Sequence, residues 1–322
     1  MSDRRQFPTD RVSPKEQCLV AKAARMMRPL RFPRLPKPIP TELNLIGLNE
    51  LLTMDRWALE RRSRALVQTA FLGNQLTLCR VLGRYKLYVP TTDLGFGAHV
   101  MMDGVWEPWL TVFMASRIKP GMHVVDAGAN HGYYTVLFAD LVGPAGRVLA
   151  IEPNPPTAKL LRQTVGVNGF GSRVDVIEKA LTAADDETLV FFAPGQEPKN
   201  ARVMHADYAG LPEMVTVTGA RLDTLLADWP RVDFMKVDVE GAEEPMLAGA
   251  WATITQDRPE LLLEFNSKRC TDPAGLLDRL EAIYGAARLI GFDSSLQSVS
   301  REALLSADNE EDWLLYFKPH SP

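Results

Sequence analysis

Val124 to Gly132 reads Val-Val-Asp-Ala-Gly-Ala-Asn-His-Gly, an apolar run closed by an acid and followed by a turn with two glycines. A strand that empties into such a turn is the mouth of a nucleotide-type pocket. Gly128 and Gly132 admit a sharp reversal and let a ligand approach the backbone, where a side chain would block both. A dinucleotide fingerprint counted from Gly128 needs further glycines where this chain has Asn130 and Tyr133, which weakens a pyrophosphate reading.

Beyond the turn the chain settles into a regular rhythm. Strand-like runs at 122–127, 147–152, 173–178, 232–238 and 260–265 alternate with helical stretches at 133–142, 155–168, 241–254 and 272–284. Alternation of this kind calls for a parallel sheet with helices on both faces. Two more β-like runs, 188–193 and 214–218, interrupt the rhythm, and segments at 287–291 and 312–317 complete the sheet with an antiparallel edge. The expectation is an α/β protein with a doubly wound, mostly parallel seven-stranded sheet. Ahead of it, 41–70 keeps helical spacing and 76–81 with 85–89 read as a hairpin. Three parts result: a tail over 1–40, a helix and β-hairpin extension over 41–104, and a ligand-binding domain over 105–322.

With 322 residues, 46% of them hydrophobic, the chain can bury one large core or a core with an added N-terminal unit. No stretch approaches the length of apolar sequence that spans a bilayer, and Cys18, Cys79 and Cys270 are too few for a disulfide framework. A cytoplasmic location is expected. Residues 1–40 carry ten Lys and Arg against Asp3, Asp10 and Glu16, whereas the formal charge of the whole chain is −4. The body is therefore acidic and offers no footprint for nucleic acid. The basic tail, with Leu19, Val20, Ala23, Met26, Met27 and Leu30 near helical spacing, suits a membrane surface or a partner, or is simply solvated. The chain as a homo-oligomer is also open.

Ligands of a doubly wound sheet sit past the carboxyl ends of its strands. Asp126, Glu152, Asp238 and Glu264 fall at four such ends. Four acids there repel a pyrophosphate but suit a cation or a ribose diol, and S-adenosylmethionine (SAM) has an ammonium, a sulfonium, a ribose and no phosphate. Glu152, 24 residues beyond Gly128, is placed to accept from a ribose. Asn130 is either a ligand contact or only a left-handed turn residue. His131 reads as an exposed turn residue.

Four blocks in order, Asp126 to Thr135, Ile151-Glu-Pro-Asn154, Met235 to Glu243 and Leu263-Glu-Phe-Asn266, resemble the FkbM-type SAM-dependent methyltransferases across roughly 105–318. The resemblance implies a Rossmann-like class I methyltransferase fold, SAM as donor, and transfer to oxygen on a sugar, glycan or secondary metabolite. Mapped onto this sequence, Asp126, Gly128, Asn130, Gly132, Tyr134 and Thr135 would hold the cofactor from the first block, with Glu152, Asn154 and Ala180 beyond it. His131 departs from the aliphatic residue common there. A SAM-binding protein without turnover and an NAD-dependent oxidoreductase stand as alternatives.

Methyl transfer gains from alignment first, and a hydroxyl acceptor gains further from a base or a metal ion. Asp238, Lys236 and Glu240 are the catalytic candidates. Lys236, on an otherwise apolar strand, is either a buried base of lowered pKa or an ion-paired lysine. Asp238, Glu264 and Asn266 could together offer oxygen ligands to Mg²⁺. Trp106, Trp109, Tyr133 and Tyr134 could stack on a ring or pack in the core.

Overall fold

In the computed structural model, residues 44–196, 201–204, 206–306 and 312–319 are described; the basic tail over 1–40 lies outside them. The N-terminal elements are α1 (Leu48–Leu51), α2 (Arg56–Leu66), β1 (Thr69–Gly73), β2 (Leu76–Val81), β3 (Tyr85–Pro90), α3 (Phe96–Asp103) and α4 (Pro108–Arg117). Asp55 starts α2 by accepting from the Ala58 N–H at 2.7 Å. The expected hairpin is present and gains a third, antiparallel strand, β1. Its side chains are mostly exposed, so the alternation that betrays a half-buried strand is missing. Asn74 and Gln75, both at positive φ, make the two-residue turn that joins it to β2.

The central sheet takes β4 (His123–Ala127), then α5 (Tyr133–Val142), β5 (Arg147–Ile151), α6 (Pro155–Val167) and β6 (Val174–Ile177). An inserted region comes next: β7 (Ala180–Leu181), β8 (Thr188–Phe192), β9 (Arg202–Met204) and β10 (Met214–Ala220) form a separate four-stranded sheet in the order β7-β10-β8-β9. The chain returns through α7 (Leu222–Leu225), β11 (Phe234–Val237), α8 (Glu243–Gly249), α9 (Trp251–Asp257), β12 (Glu260–Phe265), α10 (Pro273–Tyr284), β13 (Arg288–Ile290), β14 (Leu296–Ser298), α11 (Arg301–Leu305) and β15 (Trp313–Phe317). The helix expected over 241–254 is thus two helices meeting at Ala250.

Among the described residues the main sheet has the order β14-β13-β15-β12-β11-β4-β5-β6. β12 to β6 are mutually parallel, and β15 adds the antiparallel edge. The count is eight rather than seven, because β14 pairs back on β13 as a short hairpin too brief to leave a period in the sequence. Both faces are buried. Val124, Val148 and Phe234 face a core shared with Phe138 of α5, while Val125, Leu149 and Met235 face one built with Met246 and Leu277, as side chains alternating about a strand require. Ile46, Leu59, Leu87, Phe96 and Leu110 belong to the first of these cores, so the elements before β4 cover one face of the sheet. Leu45–Pro322 make one compact unit. No helix among the described residues is long and apolar enough to cross a membrane.

Candidate active site

β4 ends at Ala127 and the chain turns at Gly128, φ +78°. The turn is tied down on both sides: the Gly128 and Ala129 N–H groups donate to the Ile151 carbonyl at 3.1 and 2.9 Å, and the Asp238 N–H donates to Ala127 at 3.2 Å. A Cβ at position 128 would lie 1.7 Å from the Asp238 carbonyl oxygen. The glycine is thus demanded by both φ and space. Asn130 is left-handed, φ +49°, and its N–H donates to Glu152 Oε2 at 3.0 Å; Glu152 Oε1 accepts from the Asn154 N–H at 2.9 Å. One carboxylate therefore spans the turn after β4 and the end of β5.

An open cavity runs along these strand ends. Gly128, Asn130, Tyr134, Glu152 and Ala180 line one part of it, and Lys236, Asp238, Glu240 and Glu264 another. Every candidate catalytic residue and five of the cofactor candidates meet there. Asp126, Gly132, Thr135, Asn154 and Asn266 are not among the cavity's lining residues. Asp126 is wholly buried and accepts from the Thr135 hydroxyl at 2.6 Å, while Gly132 sits at φ +92° against Leu161. Asp126, Thr135 and Gly132 thus brace the turn rather than line the cavity.

Burial pushes the Glu152 carboxyl up to about 7 from 4.5, against the backbone donors of Asn154 and Asn130, which pull it down. The native chain consequently holds a proton that the unfolded chain releases near pH 4.5, and this group's stabilisation is lost as pH rises from there to about 7. Urea denaturation across that window should show a falling stability that Glu152→Gln flattens. Parallel profiles for the two proteins would contradict burial as the cause.

Lys236 is 2% exposed and directly beside Asp126 in the register of β11 on β4. Its Nζ donates to Asp238 Oδ2 at 2.9 Å and lies 3.9 Å from Asp126 Oδ1. Burial works against its charge, yet Asp238, Asp126 and Glu107 outweigh that and raise its pKa above the ordinary lysine value. The lowered-pKa base expected as one alternative is not found; the ion-paired lysine is.

The metal expectation fails on the same grounds. No group of three or more His, Cys, Asp or Glu among the described residues could hold an ion. Asp238 is committed to Lys236, Glu264 lies 3.7 Å from Arg269, and Asn266 donates to Asp312 at 2.8 Å while accepting from the Lys268 N–H at 3.0 Å. These residues do not fit Mg²⁺.

Arg269 belongs to no strand or helix pattern, and nothing in the sequence marks it as part of a site. It stands 3.2 Å from Asp312, 3.6 Å from Glu240 and 3.7 Å from Glu264. Burial opposes its charge, but the three acids hold it cationic. Glu264 is driven well above the usual carboxylate range, by burial first and then by Asp238, Glu240, Asp312 and Glu243, and its Oε2 is buried without a hydrogen-bond partner. Glu243, in the first turn of α8, accepts from the Val239 and Gly241 N–H groups at 3.2 and 3.0 Å and so braces the turn after Asp238.

His131 is 1% exposed rather than exposed. Its ring stacks on Phe96 at 5.9 Å and its Nε2 is 3.5 Å from the buried Asp93, both supplied by the N-terminal elements. Phe96 and Trp106 also line the cavity, as do Phe191, Ala201 and Val203 of the inserted region. The Leu94 N–H donates to the Gln196 carbonyl at 2.8 Å, joining these two walls. Trp106, Tyr133 and Tyr134 face the cavity, whereas Trp109 packs on Phe292 at 4.9 Å.

Residues 126–285 match the family described as the Methyltransferase FkbM domain. The chain belongs to the FkbM methyltransferases. It is similar to the AMB antimetabolite synthetase AmbE of Pseudomonas aeruginosa, 25% identical over 223 residues that are 58% of this chain and 10% of that protein. The protein-L-isoaspartate O-methyltransferase of Aeropyrum pernix is 41% identical over 59 residues, 18% of this chain and 23% of its own length. The methyltransferase sdnD of Sordaria araneosa is 28% identical over 188 residues, 50% of this chain and 70% of its own. The chain therefore spans at most a quarter of the first two relatives. Among solved structures, the methyltransferase FkbM from Methylobacillus flagellatus aligns with a TM-score of 0.39 at 19% identity, covering 61% of this chain and 43% of that one.

Proposed function

We propose that this FkbM-family chain is a SAM-dependent methyltransferase that transfers the methyl group to a hydroxyl of a small molecule, sugar or glycan. The observation that carries the reading is Glu152, whose two oxygens pin the Gly128 turn to the end of β5 at the edge of the cavity. When the carboxyl is ionised, each oxygen keeps a second lone pair for a ribose hydroxyl. Gly128 and Asn130 bring backbone to the same place, and Ile151, Ala180 and Leu181 offer an apolar slot beyond Glu152 for the base. SAM, when bound, supplies an electrophilic methyl on a sulfonium.

The protein's own part is alignment and removal of the acceptor proton. Lys236, locked between Asp126 and Asp238, fixes Asp238 at the cavity rather than serving as base. Glu264, whose Oε2 has Arg269 3.7 Å away but accepts no hydrogen bond, and Asp238 flank the place where an acceptor hydroxyl would enter, and Glu240 is held off by Arg269. Loss of an oriented carboxylate costs about 10²–10⁴-fold when it acts as a general base.

Incubating the full chain with a cell extract and isotopically labelled SAM should yield, by mass spectrometry, a product heavier by one methyl group. Asp238→Ala should reduce its rate of formation by about a hundredfold or more. Unchanged product with Asp238→Ala would remove that residue from the mechanism. Calorimetric binding of NAD without a SAM signal would replace the reading with an oxidoreductase.

A further inference from the structure

The wall that closes the cavity beside the Gly128 turn comes from Trp106 and Glu107, ahead of the region that matches the family. Glu107 stands at φ +41°, a left-handed conformation that a residue with a side chain adopts at a cost. Its Oε2 accepts from the Tyr134 hydroxyl at 2.7 Å, and Tyr134 in turn lies on the first turn of α5 with the Lys236 Nζ 5.4 Å over its ring. Thr111 steadies the segment by donating to the Trp106 carbonyl at 3.0 Å. The carboxylate is thus placed and oriented at the cavity by the segment that leads into α4.

Every acid of the cavity, Glu107 included, has a partner. Asp238 bonds Lys236; Glu240, Glu264 and Asp312 surround Arg269; Glu152 holds the turn. The cavity lining sets the carboxyl groups of Glu107, Glu152, Asp238, Glu240, Glu264 and Asp312 against the cations Lys179, Lys236 and Arg269, a balance that suits a cationic ligand group. A sulfonium bears three arms. With the adenosine arm at Glu152 and the methyl directed to the acceptor side at Asp238 and Glu264, the third arm, which ends in an α-amino acid, has the Trp106–Glu107 wall before it.

Resting on SAM as the cofactor of this cavity, we propose that Glu107 is the subsite for the α-ammonium of its amino-acid arm, oriented by Tyr134. The ammonium donates to the Glu107 carboxylate, which receives a second hydrogen bond from the tyrosine and so needs no reorganisation on binding.

The probes are S-adenosylhomocysteine and 5′-methylthioadenosine, which share adenosine and a thioether and differ by the amino-acid end. In isothermal titration of the full chain, Glu107→Gln should weaken S-adenosylhomocysteine about tenfold or more while leaving 5′-methylthioadenosine within about twofold. Tyr134→Phe, which keeps the charge and loses only the orienting bond, should weaken S-adenosylhomocysteine by no more than about fivefold. Equal losses for both ligands in Glu107→Gln would mean that the residue shapes the wall and nothing more, and an unchanged S-adenosylhomocysteine affinity would equally overturn the proposal. If the unmodified protein bound neither ligand, the cofactor reading would fall, and this inference with it.

Discussion

Gly128→Ala should abolish measurable S-adenosylhomocysteine binding and lower the stability of the fold by about 2–5 kcal/mol. The new methyl would meet the Asp238 carbonyl oxygen at 1.7 Å and its carbon at 2.9 Å. Both belong to backbone, so no rotamer can relieve the clash; the ends of β4 and β11 must part, breaking the Asp238 N–H bond to Ala127. Gly121 provides the control, since it too has a positive φ, +85°, but nothing lies within 4 Å of a Cβ there. Gly121→Ala should cost about 1 kcal/mol, the conformational part alone. Urea titration of the two variants checks the difference. Similar losses would show that φ, and not the approach of the two strands, makes Gly128 necessary.

Lys236→Met is expected to be of comparable size. The variant keeps the length and apolar stem of the side chain but leaves Asp126, 0% exposed, facing no cation, with Oδ1 already lacking a hydrogen bond. Removing one member of a buried charge group in this way costs about 3–5 kcal/mol. Asp126 already titrates above its ordinary range, by burial first, with Lys236 as the largest influence pulling it down. Without the lysine it rises further and the native state takes up a proton. The destabilisation should therefore shrink as pH falls, and Lys236→Met with Asp126→Asn should recover much of it. A penalty independent of pH, or no recovery in the double variant, would place the cost in packing instead.

The features legible in the sequence are local ones. β4 announces itself by apolar residues and a terminal acid, and Gly128 and Gly132 lie close together where the chain must turn with positive φ. Helix 133–142 falls where the sequence puts it because its buried residues, Thr135 apart, are apolar. Features that depend on contacts between distant segments stay hidden. His131 is buried only because Asp93 and Phe96, more than thirty residues earlier, close over it. Arg269, in a short turn after β12, acquires meaning from Glu240 and Asp312 on other segments. Lys236 is recognisably anomalous on its strand, but its pKa depends on register, which sets it beside Asp126. The strands β7, β9 and β14 are two or three residues long, too short for any alternation to show.

The Leu94–Gln196 link and the Phe96–His131 stack bear on how such an enzyme could be re-engineered. Grafting only residues 126–285 into a relative would transplant the carboxylates at the strand ends and the inserted sheet, but the donor's Trp106 and Glu107 would stay behind. A chimera of that kind would inherit one half of its binding surface from each parent, and compatibility at the seam between them would decide whether it holds its substrates at all.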